Sequence, residues 1–441
     1  MPLRRFLIVT LFATSVSTAQ AQRAAPGAKA IDNRLTFGAA AQTKARIIIP
    51  SDNKGVAGLG RLSELTAQSS VSGVFITNAR YGSGGVLRPT VANITIKGGR
   101  RPDFDHPPGH PDQMPVVADG VKLDGADCSI TDCVIQSFHG VGAQGQHSAV
   151  NDGLNADAVQ INRNLITHCF TGIKVVNSDT RLHGNVVAAC RDYCLWITNT
   201  PYGPGNVQSN HNHFYGAYAA IYNETGIGYS STQDEFSDAR YGYLGGLGAS
   251  NARFTNPTSI HCMVRNMWLR APTHITNPVI DVWKNGSVWG DKVGIEITGP
   301  RCTILGGHID MNWNQNPNEE ATGSATAAIK MGREDADPIW GADDCVIETR
   351  IHGHPEVAGE KGIWVTEPIL GGRFELFVYG FDDAGDAAVV VEAAAATSKG
   401  TTWVIRGPTQ TFATIPDDLD KSNTITTIDS TTGETKHLWP K

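Results

Sequence analysis

The sequence predicts an all-β solenoid of short parallel rungs, and three observations lead there. The first is self-similarity. GVKLDGADCSI, Gly120 to Ile130, matches GIEITGPRCTI, Gly294 to Ile304, without a gap, and Gly341-Ala-Asp-Asp-Cys-Val-Ile347 ends in the same way. The second is spacing. Ile130 and Ile135, Ile161 and Ile166, Leu182 and Val187, and Val346 and Ile351 each lie five apart, with Asn164 and Asn185 three residues into their units. A turn and a Gly-Ile-x-Val-like strand follow, and intervals of 22 (Ile173 to Leu195), 26 (Leu195 to Ile221) and 34 residues (Ile329 to Ile363) separate successive strands. Periods of this size mark stacked repeats, because each unit is too small to bury a core alone. The third is composition: 48 glycines, 18% charged residues and no long amphipathic helical stretch favour many short strands joined by turns.

Along the chain, Met1 to Arg5 is basic, Phe6 to Ala13 is largely apolar, and Ala19-Gln-Ala21 fits a small-residue cleavage site. Residues 1–21 therefore read as a signal peptide, giving a secreted or periplasmic protein that begins at Gln22. The apolar run is shorter than the ~20 residues that span a bilayer, and no transmembrane segment is expected. Residues 22–70 lack the rung pattern and read as an N-terminal cap, which shields an open sheet edge. Residues 71–392 carry the rungs. Glu224 to Phe254, rich in Gly, Tyr and acids, reads as an interruption that loops out from one face. Residues 393–441 read as a C-terminal strand and tail, a cap or a small oligomerisation element, so monomer and trimer both stay open.

The formal charge of −7 argues against nucleic acid as a partner. It is compatible with an anionic polysaccharide, since basic patches occur on acidic proteins. The eight cysteines fall on rung positions: Cys128, Cys302 and Cys345 share one, and Cys169 and Cys190 share another. Stacked core thiols are preferred to a Cys169–Cys190 disulfide in a chain this long.

The I-x-x-N-x-I units with their G-I-x-V strands resemble the right-handed, single-stranded parallel β-helix of the pectate-lyase-like superfamily, from about Val71 to Val391. That superfamily includes pectate lyases, polygalacturonases, epimerases and phage tailspikes. The resemblance implies an architecture and a carbohydrate theme; it does not choose an activity. Asp343-Asp344 with His352 and His354 suggests a polygalacturonase site. The aligned pairs Ala126-Asp127 and Pro300-Arg301 make the acids look like corner residues instead.

A better candidate comes from register. In each G-I-x-V strand the residue between the two aliphatics points outward. Read along the stack, that position gives Lys122, Gly142, Lys174, Trp196, Tyr222, Glu296, Lys330 and Trp364. Aromatic faces suit sugar rings and lysines suit carboxylates or sulfates. With Tyr218 and Glu224 these form the expected polysaccharide-binding set. His139, Arg191, Asp192 and Tyr193 lie in the preceding turns. With Lys174 they could supply the base and the positive charge that β-elimination beside a uronate carboxylate needs. Asp192 with Glu224 would serve hydrolysis instead. A non-catalytic, adhesin-like or tailspike-like glycan binder is the alternative. For metals, calcium stays open as a cofactor. Asp103, Asp105, His106 and His110 have ligand-like spacing, as does Asn210-His-Asn-His213, where Asn210 is assigned the corner-amide place and His211 and His213 share a face.

Overall fold

The computed structural model describes residues 47–67 apart from 61, 74–78, 87–98, 119–138 apart from 124, 148–151, 158–198, 205–282, 291–311, 326–353 apart from 335 and 336, 359–381, 386–408 and 413–440, with short strands before residue 47. The chain forms two compact units, Met1–Tyr218 and Ala219–Lys441.

One rung of the first unit shows how the sequence makes a coil. The strand Gln160–Asn162 leads to a corner at Arg163, then to Leu165–Thr167, a turn, and Thr171–Val175. Each strand lies parallel and in register on its equivalent in the next rung: Ile161 on Leu182, Ile166 on Val187, Ile173 on Leu195. Those six side chains point inward and are buried. Each fully buried aliphatic contributes about 1.5–3 kcal/mol, so stacking like on like gives every rung a share of one continuous core.

The corners need left-handed backbone. Asn93, Asp132, Arg163, Gly184 and His211 turn the same corner in the first unit, all with φ between 53° and 63°. Asn, Asp and Gly tolerate that region best, which explains their recurrence. The residue that follows points inward, and here the chain builds a ladder. Asn164, Asn185 and Asn212 are all buried. Each side-chain oxygen accepts a backbone N–H from the preceding rung: Cys133 to Asn164, Asn164 to Asn185, Asn185 to Asn212. The ladder amide is Asn212, two residues beyond the expected Asn210. His211 is therefore the corner residue and does not share a face with His213. Its ring meets His183 edge-on at 5.9 Å, while His213 lies against Tyr215 at 4.6 Å.

Asp127, Arg301 and Asp344 occupy another corner, with φ of 56°, 55° and 53°. The acid pair thus turns the chain, and Asp343 Oδ1 accepts the Leu370 N–H at 2.7 Å. In that rung Ile347 and Ile351 face inward in the straight strand Val346–His352, and Val346 faces out.

The expected interruption at Glu224 to Phe254 is a complete rung. It contains the strands Ser230–Thr232, Glu235–Ser237 and Tyr241–Gly245, and Ala252–Thr255 then opens the next rung on Ser230–Thr232. Tyr229, Phe236, Tyr243 and Phe254 are buried. Aromatics replace aliphatics inside, so the repeat looks broken in sequence while the coil continues. Ser231 Oγ donates to Asp234 at 2.7 Å, and Asp234 is buried.

Parallel pairing also reaches past the expected limits of the coil. Gly55–Gly58 and Glu64–Ala67 pair with Thr90–Ala92 and Thr95–Lys97. Thr402–Gly407 and Thr424–Asp429 continue the ladder, and Thr435–Trp439 returns antiparallel on the last of them. All eight cysteines are buried free thiols. Among the described residues no helix is long and apolar enough to cross a membrane.

Candidate functional site

In the first unit the register aligns Thr77, Lys122, Asn151, Lys174 and Trp196, with Thr77 buried and Lys122, Lys174 and Trp196 partly exposed. Gly142 was expected between Lys122 and Lys174, but the strand there is Ser148–Asn151, and Gly142 lies outside the described residues. The same shift puts Ser148, not His139, beside Thr171; His139 also lies outside the described residues.

The rest of the expected cluster comes together. Lys174 Nζ sits 4.2 Å from the centre of the Trp196 ring. Tyr193 lies 5.7 Å from Trp196 and 6.4 Å from Tyr218, edge-on to the latter. The Arg191 guanidinium covers Phe170 at 5.2 Å, and the Arg191 carbonyl accepts the Tyr218 N–H at 3.3 Å. Burial pushes the Asp192 carboxyl up to about 6, with Arg191 pulling it back down. Lys122 stands apart, 3.9 Å from Asp119. The result is an aromatic shelf edged by two cations and one carboxyl that changes charge near neutral pH.

In the second unit the outward position runs Tyr222, Leu244, Trp268, Glu296, Lys330, Trp364, again in register. Glu296 is nearly buried and is held from both sides. Arg265 Nε donates a short bond to its Oε2, and Lys330 Nζ lies 3.6 Å from its Oε1. Lys330 also reaches Asp291 at 3.7 Å and stands 4.9 Å over the Trp364 ring. Lys361 approaches Trp364 at 4.5 Å, and the Trp364 N–H donates to Glu392 at 2.6 Å. Trp268 stacks with Tyr241 at 6.0 Å and donates to Thr298 at 3.2 Å. Partly desolvated cation–ring contacts of this kind are worth about 0.5–2 kcal/mol each and fix the rings in place.

Trp268, with its neighbours Tyr241 and Arg265, was missed in the sequence. The signal was available: Arg265-Asn-Met-Trp-Leu269 has the form of Tyr193-Cys-Leu-Trp-Ile197. Reading Glu224 to Phe254 as an interruption lost the register just before it. Asp192 and Glu224, the expected hydrolytic pair, fall in different units. Asp103, Asp105, His106 and His110 lie outside the described residues. Among the described residues no three metal-ligating side chains converge.

No protein-family model matches the chain, and no curated protein matches it. Solved structures do. A point mutant of the tailspike protein of Escherichia coli bacteriophage HK620, in complex with a pentasaccharide, is 9% identical with a TM-score of 0.56, over 89% of this chain and 73% of that one. The fold is a right-handed parallel β-helix. Tailspike protein 2 from an Escherichia coli O157:H7 bacteriophage is 11% identical over 73% of this chain, with a TM-score of 0.39. The chain spans only 39% of that tailspike's length. An alginate lyase from Paenibacillus sp. is 11% identical over 77% of this chain and 94% of its own, with a TM-score of 0.36.

Proposed function

We propose that the protein binds an acidic polysaccharide along its outward columns of aromatics and cations. The observation that carries this is the register of Trp268, Glu296, Lys330 and Trp364 on four successive rungs. Rungs repeat at about 4.8 Å, so one face presents flat rings and fixed charges at short, even intervals, as an extended chain of sugars requires. Lys174, Trp196, Tyr193 and Tyr218 repeat the theme in the first unit. The HK620 tailspike holds a pentasaccharide on the same fold, which supports the ligand class. Export through residues 1–21 would bring the protein to such polymers.

Cleavage by β-elimination is the second reading, and it is favoured by Lys174 and Tyr193 against the same Trp196 ring, with Arg191 two residues before Tyr193. Arg191 would neutralise a uronate carboxylate, and Tyr193 would take the proton beside it. Affinity electrophoresis through gels of pectate, alginate, hyaluronan or chondroitin tests the binding. At least one polymer should retard the protein, and Trp268→Ala should weaken that retardation about tenfold, as the loss of one stacking ring would. No retardation by any of them refutes the reading. Elimination would show as absorbance near ~235 nm from the conjugated double bond left when the proton and leaving group depart.

A further inference from the structure

Where the second unit loses a corner, a groove opens on a different sheet from the Trp268 column. The chain turns at Asn277, with φ of 49°, between the strands Thr273–Thr276 and Val279–Asp281. One rung later that corner is a bulge, Gly306-Gly307, inside the single strand Thr303–Asp310. In the two rungs after that, Val346–His352 and Arg373–Tyr379 run straight. Both bulge glycines have φ of 69°. A Cβ on Gly306 would lie 2.4 Å from Asn277 Oδ1, and one on Gly307 would lie 2.2 Å from the Pro278 carbonyl oxygen. Only Gly fits there, and this bare backbone lines a groove of about 720 Å³.

The registers set His308, Arg350 and Phe377 side by side, with Asp310, His352 and Tyr379 in the next outward column. The residues between, Ile309, Ile351 and Val378, are buried. Phe377 and Tyr379 are 47% and 40% exposed in the groove, and the His352 ring backs Tyr379 at 4.3 Å. Two large rings on one face of one strand thus form an apolar surface that folding leaves uncovered. Planar polar groups stand around it. Glu375 is held by Arg373 at 3.3 Å and by Arg406 at 3.2 Å, and Asp310 lies 3.4 Å from His352. Among the described residues Arg350 and Glu348 have no ion-pair partner, which leaves their polar atoms available to a ligand.

We propose that this groove is a second saccharide site, and that it takes uncharged sugar rings. It goes beyond the reading of the aromatic columns, because it lies on another sheet and selects a different chemistry. Elimination leads there. A wholly apolar ligand would cover Arg350 and Glu348 and leave both without partners. An anion would meet Asp310, Glu348 and Glu375 around the one guanidinium that lines the groove, and a cation would meet Arg350. An uncharged ring with an apolar face and a rim of hydroxyls meets neither difficulty. Its face stacks on Phe377 or Tyr379, while its hydroxyls donate to Glu348 and accept from Arg350. The volume falls within the ~300–1,000 Å³ of small-ligand sites, so a ring-sized ligand has room.

The test is affinity electrophoresis of the full chain through gels of dextran, pullulan, laminarin and galactomannan. At least one of these neutral polymers should retard the protein, and equally so at low salt and at about 0.5 M, since no charge is there to screen. Phe377→Ala and Arg350→Gln should each weaken that retardation about tenfold. Both side chains are exposed, so circular dichroism should stay unchanged, as should any retardation by pectate, alginate, hyaluronan or chondroitin. Trp268→Ala should leave the neutral gels unaffected. No retardation by any neutral polymer, or retardation that ignores both variants or falls away with salt, overturns the proposal. Loss of retardation by an acidic polymer in Phe377→Ala overturns it too, because the groove would then serve that polymer. The reading of the Trp268 column stands or falls separately, on the acidic gels and Trp268→Ala.

Discussion

Replacing Asn185 with Ala removes the middle step of the amide ladder, and the structure fixes what is lost. Its Oδ1 accepts both the Asn164 backbone N–H and the Asn164 side-chain amide, each at 3.0 Å. Its Nδ2 donates to the Ile161 carbonyl at 2.7 Å and to Asn212 Oδ1 at 2.8 Å. Asn164 Nδ2 keeps its bond to the Ile130 carbonyl at 2.9 Å, and Asn212 keeps the Asn185 backbone N–H at 2.8 Å. The Asn164 N–H loses its Asn185 acceptor inside the buried core. One orphaned donor costs about 1–3 kcal/mol, and the weakened carbonyl and the cavity add to it, so a loss of about 3 kcal/mol is expected. Every 1.4 kcal/mol is tenfold, so the Asn164 amide should exchange with solvent about 100-fold faster in Asn185→Ala. Hydrogen exchange resolved at that residue measures it directly. Asn185→Asp keeps the acceptor but turns a carboxylate toward Asn212 Oδ1 and the Ile161 carbonyl. It should be worse than Ala at pH 7 and recover in acid. A change under about 1 kcal/mol for Ala would refute the claim that the ladder holds the rungs together.

Other outcomes follow from the same geometry. Because the folded Asp192 carboxyl is raised to about 6, its cost is absent below the ordinary value near ~4 and grows as pH rises through 6. Asp192→Asn should therefore stabilise the protein at pH 7 by about 2 kcal/mol, after allowance for its partial exposure, and by nothing at pH 4; equal effects at both pH values in urea unfolding would contradict this. A Cβ at Gly172 would lie 2.6 Å from the Cys194 carbonyl and 2.3 Å from Val187 Cγ1, so Gly172→Val should cost at least about 2 kcal/mol, read as a lower urea midpoint. With every cysteine free and buried, a thiol reagent should find none in the folded protein and all eight after unfolding without reductant; six would reveal a disulfide. Trp196→Ala should weaken polymer retardation in gels about tenfold while leaving the β signal of circular dichroism unchanged, and full retention would remove the first unit's shelf from the binding face.

The sequence by itself determined the coil. Aliphatics five apart, corner Asn and Asp residues and the recurring Gly are local requirements of the backbone, repeated until their period becomes legible. It also placed Lys174, Trp196, Glu296, Lys330 and Trp364 on one kind of outward position, because alternation along a strand is strict. It failed where the inward residues changed type. Tyr229, Phe236 and Tyr243 fill the core of one rung and Phe254 opens the next, so the period seemed to stop there, and Trp268 was lost with it. It failed again at Gly142, where the length of a turn, which carries no period, decides which residues enter the ladder. Tertiary structure alone brought His308, Arg350 and Phe377 into one column. They come from segments far apart in the chain, with no shared motif, and their proximity follows from the stacking of rungs. Period shows which side a residue faces; only the register between rungs shows what it faces beside.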